Sequence, residues 1–156
     1  MERYLIWRKD NDIDSIRRAI VSERNSPIKF PHGKTILEHI PQVLCNVNAR
    51  DMHSCPLSWL TTDFSPTTAF AEIDMDQYTE FIKYSLEYQQ LVLEQLAEEK
   101  ERQILVEAEA KGEVLTEPYG VIMQATIIRD LTGLSLQHLG PQGSAMSHLA
   151  ISEFCV

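Results

Sequence analysis

Basic residues are scarce in this chain of 156 residues: 14 Lys and Arg stand against 23 Asp and Glu, a net charge of -9. That balance speaks against nucleic acid as a partner, because phosphate binding rests on Lys and Arg displacing counterions. Glycine (6) and proline (7) are too few for a collagen-like or low-complexity chain. No apolar run reaches the about 20 residues that span a bilayer. The opening Met1–Asp10 is charged from the start and lacks the apolar core and cleavage site of a signal peptide. Cysteine is sparse, and Cys45, Cys55 and Cys155 form no CxxC. Such a set suits free thiols, read chiefly as small buried hydrophobes, in a reducing compartment. The expected location is therefore the cytoplasm or the cytoplasmic face of a membrane.

Signatures of common chemistries are missing too. There is no P-loop, GxGxxG, GxSxG or HExxH. His32, His39, His53, His138 and His148 show no spacing typical of zinc ligands. No local nucleophile–base arrangement occurs, so no catalytic residue, metal or cofactor is expected.

What is present is ordinary globular material, 44% hydrophobic and 24% charged. The length suits one domain, or one domain with a small appendage. Charge is uneven: residues 1–50 carry a balance of +3 and residues 51–156 one of -12. The basic front end is read as a solvated helix face, with an anionic membrane surface as the alternative.

A helical opening is expected around Tyr4, Leu5 and Trp7. A second helix, through Ile13, Ile16, Arg17 and Ile20, has Asp12 as its candidate cap and ends before Pro27. Thr35–Ile40 reads as a helical turn stopped near Pro41, and Gln42–Asn48 is ambiguous. Pro56–Thr62 is suited to a strand, and Asp63–Thr67 reads as a turn. The strongest signal is a helix from Met75, capped by Asp74 or Asp76, with a broad apolar side from Tyr78 to Leu96. Glu80, Lys83, Glu87, Gln90, Glu94 and Glu98 fall on its polar stripe. A charged extension runs on and frays at Gly112. Val121–Ile128 is apolar on both faces, the pattern of a central strand with helices over its sheet. A last helix is expected from Pro141 through Met146, Leu149, Ala150 and Phe154.

Two residues at the end of the last strand stand apart. Asp130 reads as a strand-end acid bonding the backbone of the turn toward Gly133. Arg129 is odd beside so apolar a strand. Pairing with Asp130 or another acid is the preferred reading, and presenting a guanidinium to an anionic group is the other.

The order of these features resembles the CRAL-TRIO lipid-binding family. Tyr4-Leu5-Ile6-Trp7-Arg8-Lys9 looks like the last helix of the family's N-terminal region. Asp51 and Pro56 match the lead into its first strand, with Ser54 and Cys55 where Gly and Arg are usual. Leu86-Glu87-Tyr88 is similar to the helix that follows. Thr126 to Leu136, with Asp130-Leu131-Thr132-Gly133-Leu134-Ser135, is similar to its strand-and-exit motif. The resemblance implies an α/β fold: an incomplete CRAL-TRIO sheet with flanking helices. Residues 1–24 would be a short remnant of the N-terminal helical region. Residues 25–156 would be the front part of the lipid-binding domain, with its C-terminal half missing. It implies a cytosolic, phosphatidylinositol-transfer-like protein that holds a phospholipid or other hydrophobic molecule non-covalently, with impaired activity and peripheral membrane contact. Trp59, Tyr88, Ala125 and Ile127 are the implied lipid-binding residues. The alternative is a helical protein-interaction module without a lipid, disfavoured because the apolar side of the long helix is too wide for a coiled coil and fades after Leu96.

Overall fold

The computed structural model describes residues 2–113, 120–141 and 143–145, with side chains from residue 5 onward. It is a mixed α/β structure. Helices α1 (Glu2–Asp10), α2 (Ile13–Ser22) and α3 (Gly33–His39) lead into strands β1 (Gln42–Arg50) and β2 (Pro56–Thr61). Helices α4 (Pro66–Glu72) and α5 (Met75–Lys111) follow, then β3 (Thr126–Asp130). Short 3-10 turns lie at Pro27–Lys29 and Leu136–Leu139. Among the described residues, no helix is long and apolar enough to cross a membrane.

Helix α5, 37 residues long, is the spine. Asp74 starts it as expected: its carboxylate accepts from the Gln77 N–H at 2.7 Å, and Gln77 Oε1 accepts from the Asp74 N–H at 3.2 Å. This reciprocal pairing satisfies two donors that a helix start leaves orphaned. Gly112, in the left-handed region at φ 70°, ends it. The first half of α5 packs Tyr78, Phe81, Ile82 and Tyr84 against Ile20 of α2, Phe30, Ile36 and Ile40, and Ala69 and Ile73. Phe81 is fully buried. Farther along, Val92 and Leu96 pack on Cys45 of β1. The long helix therefore faces helices first and the sheet second.

Two local expectations fail for identifiable reasons. Asp12 sits at φ 49° and makes no side-chain cap, so α2 starts from a tight left-handed turn. Ser65-Pro66 opens a helix instead of a simple turn. Ser65 Oγ accepts from the Thr68 N–H at 3.3 Å, and Pro66 occupies the first helical turn, where a missing N–H costs nothing.

The sheet has the order β1-β2-β3. β1 and β2 form an antiparallel hairpin with register shifts on either side of Asn46. Those irregularities, and Cys45 at φ 43°, explain why Gln42–Asn48 is ambiguous in sequence. β3 pairs parallel to β2, from Leu57 with Thr126 to Thr61 with Asp130, after the crossover that parallel strands need. Trp59 lies on the strand next to β3, opposite Ile128.

The last strand differs from expectation in place and setting. It begins at Thr126, not Val121, and runs through Arg129 and Asp130. Residues 121–125 are an irregular lead-in, with the Val121 N–H donating to Glu101 of α5 at 3.0 Å. Among the described residues β3 is an edge strand, and Ile127 and Ile128 are 44% and 48% exposed. Val43, Trp59 and Ile128 form an apolar row across the outer face of the sheet. The expected last helix is described only at residues 141 and 143–145; Met146, Leu149, Ala150, Phe154 and Cys155 lie outside the described residues.

One buried charge corrects the reading of the polar stripe. Glu87 is 4% exposed and accepts from Arg8 at 3.0 Å and Arg17 at 2.9 Å. Arg17 also pairs with Glu94, and Arg8 with Asp14 at 2.9 Å. Arg8 and Arg17 thus leave the solvated face and clamp α1 and α2 onto α5, while Lys9, Arg18, Lys29, Lys34 and Arg50 are exposed as expected. Breaking a buried ion pair costs about 3–5 kcal/mol because the partner charges stay behind. Glu87→Ala is expected to lower unfolding free energy by about 3 kcal/mol, whereas Glu94→Ala, at a half-exposed pair, loses about 1 kcal/mol or less. Urea denaturation of the two variants checks this, and equal losses would contradict the clamp.

A second tie joins the hairpin to β3. Asp51 Oδ1 accepts from the N–H groups of His53 (2.8 Å) and Cys55 (2.9 Å), and Thr126 Oγ1 donates to Asp51 Oδ2 at 2.6 Å. The Thr126 hydroxyl, then the Cys55 N–H, hold the Asp51 carboxyl below its ordinary value of 3.8. A depressed acid contributes stability that is present above its unfolded value and lost as pH falls through its folded one. Thr126→Val should therefore be less stable than wild type at pH 7, with the gap narrowing as the pH drops below 3.8. Thermal melts from pH 7 to pH 2 check this.

Candidate functional site

A cavity of about 270 Å³ lies between the inner sheet face, the first half of α5 and the segment after β3. Its walls follow from periodicity. Tyr78, Ile82, Ser85, Leu86 and Gln89 recur at helical spacing on one face of α5. Ser58 and Leu60 alternate along β2, in register with Ile127 and Arg129 of β3. Gln42 of β1 lies opposite Leu60, so Gln42, Leu60 and Arg129 form one row across the floor. Phe64, Leu131, Leu134, His138 and Leu139 close the remaining side.

The closing segment is held by specific bonds. Thr62 Oγ1 donates to the carbonyls of Asp130 and Thr132, both at 3.2 Å. Asp130 Oδ1 accepts from the Thr132 N–H at 2.9 Å, the turn-bonding role expected for it. Those contacts, the Thr132 hydroxyl first, hold the Asp130 carboxyl below its ordinary value. His138 packs edge-on against Phe64, with ring centroids 5.3 Å apart. Ser65 Oγ donates to Gln137 at 3.2 Å.

Polar side chains share the lining with apolar ones, among them Gln42, Ser58, Tyr78, Ser85, Arg129 and His138. Burial pushes the Tyr78 phenol up to about 12, against the pull of the Arg129 charge. Arg129 is the one charged side chain among the described lining residues. The expected pairing with Asp130 does not form, since strand neighbours point to opposite faces. Among the described residues Arg129 has no ion-pair partner. Two buried nitrogens, Gln42 Nε2 and His138 Nε2, also have no hydrogen-bond partner there.

Of the four implied lipid-binding residues, Ile127 lines the cavity. Tyr88 and Ala125 pack instead beside the Cys45, Val92 and Leu96 cluster. Trp59 is 48% exposed on the opposite sheet face, one residue out of phase with Ser58 and Leu60. Sequence reasoning missed Gln42 and His138. The available signals were Arg129 beside an apolar strand, and the Ser135-x-x-His138 spacing of a helical cap. Cys45 is buried, as expected, and burial raises its thiol value, partly offset by the Ser58 hydroxyl. Cys55 is a half-buried free thiol.

No protein-family model matches this chain, and no curated protein matches it either.

Gly133 shapes the cavity's closing segment. It lies at φ 84°, and a Cβ there would come within 2.9 Å of the Asp63 backbone. A left-handed non-glycine residue costs about 1–2 kcal/mol before any clash. Gly133→Ala is expected to lose at least that much stability and to speed hydrogen exchange over Leu131–Leu139 more than over α5. An unchanged exchange pattern would show that the segment is positioned by other contacts.

Proposed function

We propose that this chain binds a hydrophobic ligand non-covalently, in the manner of CRAL-TRIO lipid-binding domains, within the cavity between its sheet and α5. The observation that carries the reading is the cavity itself: an apolar pocket with a few placed polar groups is the usual form of a small-molecule site. The strand-and-exit resemblance from Thr126 to Leu136 supports it, because that segment supplies one wall. Lipid transfer, a cytoplasmic setting and peripheral contact with membranes belong to the same proposal, and the free Cys45 and Cys55 suit a reducing compartment. A protein-interaction role for α5 is the second reading, favoured by Leu105 and Val106, which are exposed beyond the packed part of the helix.

The test is NMR titration with 1-octanol. Amide shifts should concentrate at Leu86, Ile127 and Leu134. Leu86→Trp, which fills the cavity from a half-buried helix position on its wall, should keep the fold and weaken binding about tenfold or more. Shifts that map instead to Val43, Trp59 and Ile128, or no shifts at all, would sink the reading.

A further inference from the structure

Two polar groups of the cavity are donors without a partner among the described residues. The Ser135 N–H points to His138 Nδ1 at 3.1 Å, with Ser135 Oγ at 3.2 Å from the same atom. A backbone N–H only donates, so Nδ1 is the acceptor and the ring proton of the neutral imidazole sits on Nε2. That Nε2–H is buried and meets no acceptor among the described residues. Leaving a buried donor unsatisfied costs the full desolvation of that group, which makes it a ready partner for an incoming acceptor. Arg129 adds a cationic donor. Gln42 adds an amide that can turn either end toward a ligand.

Two of these groups share one row of the floor. Gln42 and Arg129 flank Leu60 in the same row of the floor, about 10 Å apart across two strand spacings. The next row inward, Ser58 beside Ile127, carries no charge. That end of the floor therefore carries the cation, and the charge-free remainder mixes apolar walls with the hydroxyls of Ser58 and Ser85.

Charge and size narrow the ligand further. Arg129, exposed at the mouth of the cavity, is the one charged side chain among its described lining residues, and a single cation matches a ligand with a single negative charge. A cavity of about 150 Å³ holds benzene. Scaled on that basis, 270 Å³ takes a molecule of about eleven non-hydrogen atoms. That is one short chain or ring, not the paired tails of a phospholipid.

We propose that the cavity selects a monocarboxylate with a compact apolar body, such as a medium-chain fatty acid. Its carboxylate is bound by Arg129, His138 Nε2–H and the Gln42 amide. This rests on the cavity being the ligand site.

Calorimetry of the full chain with octanoate, 1-octanol and octyl phosphate, and co-flotation with phosphatidylcholine vesicles, tests it. Octanoate should bind about tenfold or more tighter than 1-octanol, the scale of a charge-assisted hydrogen bond. It should also outcompete octyl phosphate. Arg129→Gln should lower octanoate affinity about tenfold or more and 1-octanol affinity by clearly less, erasing the preference. In wild type, octanoate and not 1-octanol should move the His138 Nε2–H proton resonance downfield. Equal affinity for octanoate and 1-octanol, a preference for octyl phosphate, or vesicle binding with no octanoate affinity would overturn the carboxylate assignment and leave the cavity reading standing. Failure of every probe, 1-octanol included, would overturn both.

Discussion

Glu87 is the residue on which the arrangement of the helices turns. A carboxylate with 4% exposure does not stay ionised in apolar surroundings unless positive charge meets it. Arg8 and Arg17 do so from two different helices, so α1, α2 and α5 share one electrostatic contact. Orientation follows from this, because a guanidinium satisfies a carboxylate only from a limited set of directions. With α2 held along α5, Ile13 and Ile20 are turned inward. Phe30 then stacks among Phe81, Tyr84 and Tyr88 at centroid distances of 5.5–5.8 Å. The N-terminal helices thus cover the side of α5 that a lone amphipathic helix would leave to water.

Covering that side frees another. The face carrying Tyr78, Ile82 and Leu86 meets the sheet across a gap, and the gap is the cavity. Two tethers hold β3 in the sheet. Thr126 is tied to Asp51 near one end of β3, and Thr62 grips Asp130 and Thr132 at the other. The sheet is thereby braced at both ends of β3.

Local patterns were readable where local physics decides. The start of α5 was legible in Asp74 and Gln77, its end in Gly112, and β2 in its Trp and Thr content. Helix α4 was hidden because Ser65-Pro66 suits a turn and a helix start equally well. β1 was hidden by its bulges, which break the alternation that marks a strand. The burial of Glu87 could not be read at all, since Arg8 and Arg17 lie 70 or more residues away in sequence. The cavity suffered in the same way. Ile127 was reachable from the strand pattern, but Gln42 and His138 come from opposite ends of the chain and meet only through tertiary structure. Tyr88, Ala125 and Trp59 carry the right chemistry on faces that the register turns elsewhere.

The parallel pairing of β2 with β3 sets an order of assembly. Leu57 meets Thr126 only after all of α4 and α5 have been threaded between them. Closing so long a loop costs entropy before any strand contact rewards it, which makes such pairings late in folding. The hairpin and the helical cluster can form from near neighbours, while β3 must wait for both. In the native state the same strand is the natural first place to open: among the described residues it is paired on one side only, and its isoleucines are half in water. Since Ile127 and Arg129 belong to the cavity wall, local melting of this one strand would double as a door.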